Sequence, residues 1–166
     1  LFTVDMSTSS AASVIGNVAA FIEELDDDGL DYRLAFVIAD NGTVNGSVPY
    51  IDRDNSADAA DITAIMLSGS YGSYTEMGFT VLTNGISEND WWFRDDARLH
   101  LVGLSDEPEQ SAYSYSYYVS LFQDLKDDPD DVVVHAIGGD YPGGCDGASA
   151  YTGFYEATVA TDGTFL

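Results

Sequence analysis

Positive charge is nearly missing from this chain. Five Lys plus Arg stand against 29 Asp plus Glu, a net charge of −24, and Lys126 is the sole lysine. Nucleic acid and anionic membrane surfaces repel such a chain. Two readings of the charge stay open. One is a solvated acidic surface; the other is adaptation to saline or calcium-rich surroundings, where self-repulsion is screened. Cysteine is scarce as well. Cys145 is alone, which excludes an internal disulfide and leaves either a buried free thiol or a partner outside this segment. No apolar run reaches the length of a membrane span, so membrane insertion is not expected. The first residue is not Met, and nothing at the start reads as a signal peptide. The chain opens inside an apolar run, and we expect a segment of a longer or processed polypeptide.

What is present points to a folded α/β domain. A length of 166 residues suits one domain with a real core. With 45% hydrophobic and 13% aromatic residues, that domain is globular rather than disordered. Leu1 to Val4 is a short apolar strand, followed at once by Asp5-Met6-Ser7-Thr8-Ser9. Ala11, Val14, Ile15, Val18, Phe21, Ile22 and Leu25 then recur at helical spacing. Asp26-Asp27-Asp28 reads as a solvated helix end, since it lacks the alternating ligands of a calcium loop.

Tyr32 to Ala39 predicts a strand covered on both faces. Asn41-Gly42 and Asn45-Gly46 read as turns, and Ser47 to Ile51 as an edge strand or hairpin partner. Helices are predicted over Ala59–Leu67, Glu76–Leu82, Ser111–Lys126 and Tyr151–Thr161. Tyr117, Tyr118, Leu121, Phe122 and Leu125 are the expected buried stripe of the third. Trp91-Trp92-Phe93 is expected to plug the core. Arg98–Leu104 and Val132–Ile137 predict two further strands, with His100 and His135 as core or edge histidines. Thr164 to Leu166 reads as the start of a last strand. Strand and helix alternate, which predicts a doubly wound, Rossmann-like, mostly parallel central sheet with helices on both faces.

Asp5, Ser7 and Ser9 fall between a strand's C-terminal end and a helix's N-terminus, where open α/β sheets place their ligand sites. Asp106 follows a second strand, and Thr75 sits at the start of a helix. Carboxylates and hydroxyls without Cys or His suit a hard divalent cation. The three loops together resemble the metal-ion-dependent adhesion site of von Willebrand factor A domains. Asp5-Met6-Ser7-Thr8-Ser9 fits the Asp-x-Ser-x-Ser motif, Thr75-Glu76-Met77-Gly78 the second loop, and Leu104-Ser105-Asp106 the third. Leu30–Leu34, Phe93–Ala97 and Ser105–Ser111 are similar to secreted or surface bacterial members of that family. The third loop reads Ser-Asp-Glu where Thr-Asp-Gly is commoner, which sets Glu107 beside the ion. In the second loop Glu76 is an alternative oxygen donor to Thr75.

The resemblance implies one A-type domain over residues 1–166 of an extracellular or cell-surface protein. It implies that Ser7, Ser9 and Thr75 bind the ion directly, while Asp5 and Asp106 hold it chiefly through waters. Mg²⁺ is the expected ion, with Mn²⁺ and Ca²⁺ as alternatives, and a protein or glycan partner would offer it a carboxylate. In that bacterial group a cysteine near Cys145 often pairs with one after the last strand, so the resemblance implies a partner outside this segment. The function implied is non-enzymatic adhesion. Ranked behind it are a structural domain of a surface assembly with a vestigial metal site, and a metal-assisted hydrolase using Asp5 and Asp106 as paired carboxylates. No nucleophile elbow or Walker loop supports an enzyme.

Overall fold

The computed structural model describes residues 1–4, 8–38, 42–68 and 76–166, with residues 3–4 and 8–11 described by backbone alone. Among the described residues four strands form one parallel sheet: β1 (Phe2–Val4), β2 (Phe36–Val37), β3 (Leu99–Ser105) and β4 (Val132–Gly138), in the spatial order β2-β1-β3-β4. Among the described residues five α-helices accompany them: α1 (Thr8–Asp27), α2 (Ala59–Met66), α3 (Gly78–Asn89), α4 (Tyr115–Gln123) and α5 (Phe154–Ala160). The class is mixed α/β with a parallel sheet, as the alternation of patterns predicts.

That strand order also sorts the helices. The chain steps from β1 outward to β2, then returns past β1 to build β3 and β4. Right-handed crossovers put helices of oppositely directed steps on opposite faces. Side-chain alternation agrees. Ala35, Val37, Leu101 and Val134 share a core with Phe79 of α3, Phe122 of α4 and Phe154 of α5. Leu34, Phe36 and Ile38 point the other way, against Val18 and Ile22 of α1 and Met66 of α2. All five residues of the run 34–38 are buried, as expected of a strand covered on both sides.

Gly103 fixes where α5 meets the sheet. A Cβ there would lie 2.3 Å from a ring carbon of Phe154. Phe154 is fully buried and stacks on Phe79 at 4.2 Å and Tyr151 at 4.8 Å between ring centres. An aromatic packed flat on a strand needs a residue without a side chain beneath it.

Several expectations are corrected in detail. The strand predicted over 32–39 has a parallel ladder only at Phe36–Val37, and Ala39 lies outside the described residues. Leu34 instead pairs antiparallel with Ile51 through two main-chain bonds of 2.8 and 2.7 Å, the hairpin-type contact expected of Ser47–Ile51. The helix predicted from Ser111 begins at Tyr115, because the Ser114 hydroxyl caps it by accepting from Tyr117 N. Ser111 is used elsewhere, accepting from Thr80 N at 3.0 Å.

Tyr117 and Leu125, expected inside, are 49% and 46% exposed; Tyr118, Val119 and Phe122 take the buried arc. Trp92 is buried against Phe93, but Trp91 points outward, since a 3-10 turn over Asp90–Trp92 separates the two indoles. The helix predicted over 76–82 starts at Gly78 and runs on to Asn89. The last helix starts at Phe154, where Gly153 N donates to the Glu156 carboxylate. Thr164–Leu166 bonds in parallel to the edge of β4 through Ala136, the expected start of a final strand.

Candidate functional site

In an open α/β sheet, ligands bind beyond the strands' C-terminal ends, where the strand order reverses. Here the reversal lies between β1 and β3. Val4, the last residue of β1, pairs with Leu104, and β3 ends one residue later at Ser105. The two strands therefore leave the sheet from neighbouring positions on one rim. Asp106 follows β3 directly and is half-buried. Its carbonyl accepts from Ser149 N at 2.8 Å, which ties the loop after β3 to the loop after β4. Glu107 is exposed, and its N–H donates to Ser105 Oγ at 3.1 Å. The second loop joins the same rim: the Glu76 carbonyl accepts from Gln110 N at 2.8 Å.

Of the residues singled out from sequence, Asp106 and Glu107 follow β3 directly, and the main chain of Glu76 bonds to that of Gln110, three residues beyond Glu107. Asp5, Ser7 and Thr75 lie outside the described residues. Ser9 is described by backbone only, as the second residue of α1. Two of the sequence similarities also meet. Arg94, from Phe93–Ala97, is ion-paired with Asp31, from Leu30–Leu34, and Arg33 donates to the Trp92 carbonyl.

Glu109 is the rim residue that sequence reasoning missed. Its carboxylate accepts from Phe79 N at 3.2 Å and from Ser111 N at 2.6 Å. It thereby satisfies the open N-terminus of α3, whose first amides have no partner within the helix. Burial pushes its pKa above the ordinary carboxyl value, with the bonds from Ser111, Phe79 and Gly78 opposing that shift. Two glycines make room for it. A Cβ on Gly78 would come 3.0 Å from Glu109 Oε2, and one on Gly153 would come 2.8 Å from Glu109 Cβ. Local sequence carries no signal for this contact, because its helical partner lies 30 residues upstream.

The two histidines are elsewhere. His100 and His135 sit on one face of the sheet, with His100 Nδ1 2.9 Å from His135 Nε2 and ring centres 5.2 Å apart. Thr164 N donates to His135 Nδ1 at 3.1 Å. Burial lowers both pKa values, and the partner ring lowers that of His100 further. Both lie within strands and not in the loops of the rim. Cys145 is a free and exposed thiol among the described residues, so the buried alternative is corrected. It lies in a tight turn that pairs it with Ala148.

No described group of three or more His, Cys, Asp or Glu side chains is arranged to hold a metal ion. The expected donor set is of another kind: hydroxyls and carboxylates contributed by separate loops. All are hard oxygens, the chemistry that Mg²⁺, Mn²⁺ and Ca²⁺ share. No described helix is long and apolar enough to cross a membrane. No protein-family model matches this chain, and no curated protein matches it.

Proposed function

We propose that this chain is a non-enzymatic ligand-binding module of the von Willebrand factor A type, doubly wound and carried on a bacterial surface or secreted protein. Its rim holds a divalent cation, Mg²⁺ first. Ser7, Ser9 and Thr75 supply hydroxyls, and Asp5 and Asp106 act chiefly through water. Few direct anionic ligands leave the ion electrophilic, so it accepts a carboxylate from a protein or glycan partner. The positive end of the α1 dipole favours negative charge at the same place.

One observation supports this most. β3 delivers Asp106 to the rim at the reversal of strand order, beside the strand that Asp5 follows in sequence. The main chain of Glu76 bonds to that of Gln110, in the loop that follows β3.

Calorimetric titration with Mg²⁺ and with Mn²⁺ tests the proposal. The wild-type chain binds one ion, and Ser7→Ala plus Ser9→Ala removes that binding while circular dichroism is unchanged. Full affinity in the double variant contradicts the assignment of the two hydroxyls.

A further inference from the structure

Tyrosine is spread unevenly over the chain. Seven of its eleven copies fall in two segments, 113–118 and 141–155, which follow the C-terminal ends of β3 and β4. Tyr118 and Tyr151 are core residues. Tyr113, Tyr115, Tyr117 and Tyr141 are exposed, Tyr113 by 63%. Scattered apolar exposure needs no account, but several large rings left in water together do.

The rings are held from behind. Tyr118 stacks on Phe79 of α3 at 5.1 Å between ring centres, and its hydroxyl lies 3.2 Å from that of Thr80. Tyr117 meets Tyr118 edge-on at 5.3 Å, and Tyr113 lies on Tyr117 at 4.6 Å. A file of rings thus runs from the core to the surface and ends in Tyr113. In the loop after β4, Tyr141 lies flat on Tyr155, with ring centres 4.0 Å and planes 3° apart. Rings set before binding lose little freedom when a ligand arrives.

Charge narrows the ligand. No charged side chain and no histidine stands between Gln110 and Gln123. No Lys or Arg lies in either tyrosine segment. An anionic ligand would find no partner there, and the net charge of −24 would repel it. A cationic ligand would find no carboxylate at the start of α4. What this surface offers is ring faces with hydroxyls between them. Ser114 and Ser116 alternate with the tyrosines, their Oγ atoms 2.9 Å apart. The complementary ligand is uncharged, apolar on one face and rich in hydroxyls at its edge. A sugar ring has this form. Protein partners are anchored by side chains sunk into pockets, whereas these rings rest on one another.

We propose that Tyr113, Tyr115 and Tyr117 at the start of α4 form a platform for a neutral polysaccharide. Sugar rings lie against the tyrosine rings, and sugar hydroxyls bond to the phenol and serine hydroxyls. The platform does not rest on the cation proposed for the rim, so the test is run in EDTA. The probes are cellohexaose, maltohexaose, laminarihexaose and chitohexaose, with hexagalacturonate as the anionic comparison. Binding is followed by calorimetry and by the ring resonances of the tyrosines.

At least one neutral hexamer is expected to bind and to shift the Tyr113 and Tyr117 ring signals, and hexagalacturonate not to bind. Tyr113→Ala should weaken binding by about tenfold, since it removes a whole stacked ring. Tyr113→Phe, which keeps the ring, should retain most of the affinity. Trp91→Ala is the control, because Trp91 is equally open to solvent but lies beyond the other end of α3; it should change nothing. Circular dichroism confirms that each variant is folded. No binding of any neutral hexamer by the folded protein overturns the proposal. So does equal binding of hexagalacturonate, or a loss in Trp91→Ala as large as that in Tyr113→Ala. Self-association that Tyr113→Ala abolishes would assign the surface to a protein partner and overturn it as well.

Discussion

Replacing Gly103 by alanine puts a methyl group where the structure has no room. Its Cβ would fall 2.3, 2.6 and 2.6 Å from three ring carbons of Phe154. The ring cannot simply swing aside, because it is fully buried between Phe79 and Tyr151. Relief must come from displacing α5 or bending β3. Overpacking of this kind costs about 1–3 kcal/mol. For a chain of this size each kcal/mol moves Tm by roughly 2–4 °C, so a fall of about 2–12 °C is expected. Thermal unfolding followed by circular dichroism reads it directly. Gly143→Ala is the control, since nothing lies within 4 Å of its added Cβ, and its Tm should stay put. Combining Gly103→Ala with Phe154→Leu should cost less than the sum of the two single changes, because the smaller side chain makes space for the methyl. An unchanged Tm for Gly103→Ala, or strict additivity in the double variant, would refute the packing argument.

Three further outcomes are expected. Stability should fall on acidification from about pH 6.5 downward. Burial lowers both His100 and His135 from their usual 6.5, so folding favours the neutral rings. Their contribution is complete above the unfolded pKa and is lost as pH falls through the folded values. Chemical denaturation across pH 5 to 8 (about 1.5 units either side of the usual histidine value) checks this, and His135→Gln should flatten the slope. Added NaCl should raise Tm by screening a net charge of −24; a Tm that falls with salt would mean that specific ion pairs outweigh the general repulsion. Arg94→Ala, which removes the ion pair to Asp31, should lower stability by only about 1 kcal/mol, because that carboxylate is exposed. A several-fold larger loss in denaturant titration would show that the Leu30–Leu34 and Phe93–Ala97 segments depend on this one contact.

Sequence carried the fold well where a pattern was local and repeated. The apolar run at 34–38, the helical spacing from Val14 to Leu25 and the strands over 99–105 and 132–138 all follow from side-chain period. Errors arose where tertiary partners chose between equal faces. Tyr117 and Tyr118 are neighbours of the same type, and only tertiary partners distinguish them: Tyr118 turns inward against Phe79 and Phe122, with its hydroxyl 3.2 Å from that of Thr80. Phe21 fits the apolar stripe of α1 but ends on the wall of an open groove. The rim was legible as a topological consequence: alternating elements put the ends of β1 and β3 together. Glu109 was not, because its partners at the start of α3 are distant in sequence. Nor was the histidine pair, which depends on the β3–β4 register that sets Val102 opposite His135.

The proposal is tested most directly by a crystal structure of the chain soaked in Mn²⁺, with the ion located by its anomalous signal. One ion is expected beyond the ends of β1 and β3, bonded to hydroxyls of Ser7, Ser9 and Thr75, with Asp106 in its water shell. An ion held instead by the acidic triplet at Asp26–Asp28, or no ion at that rim at saturating Mn²⁺, would contradict the account.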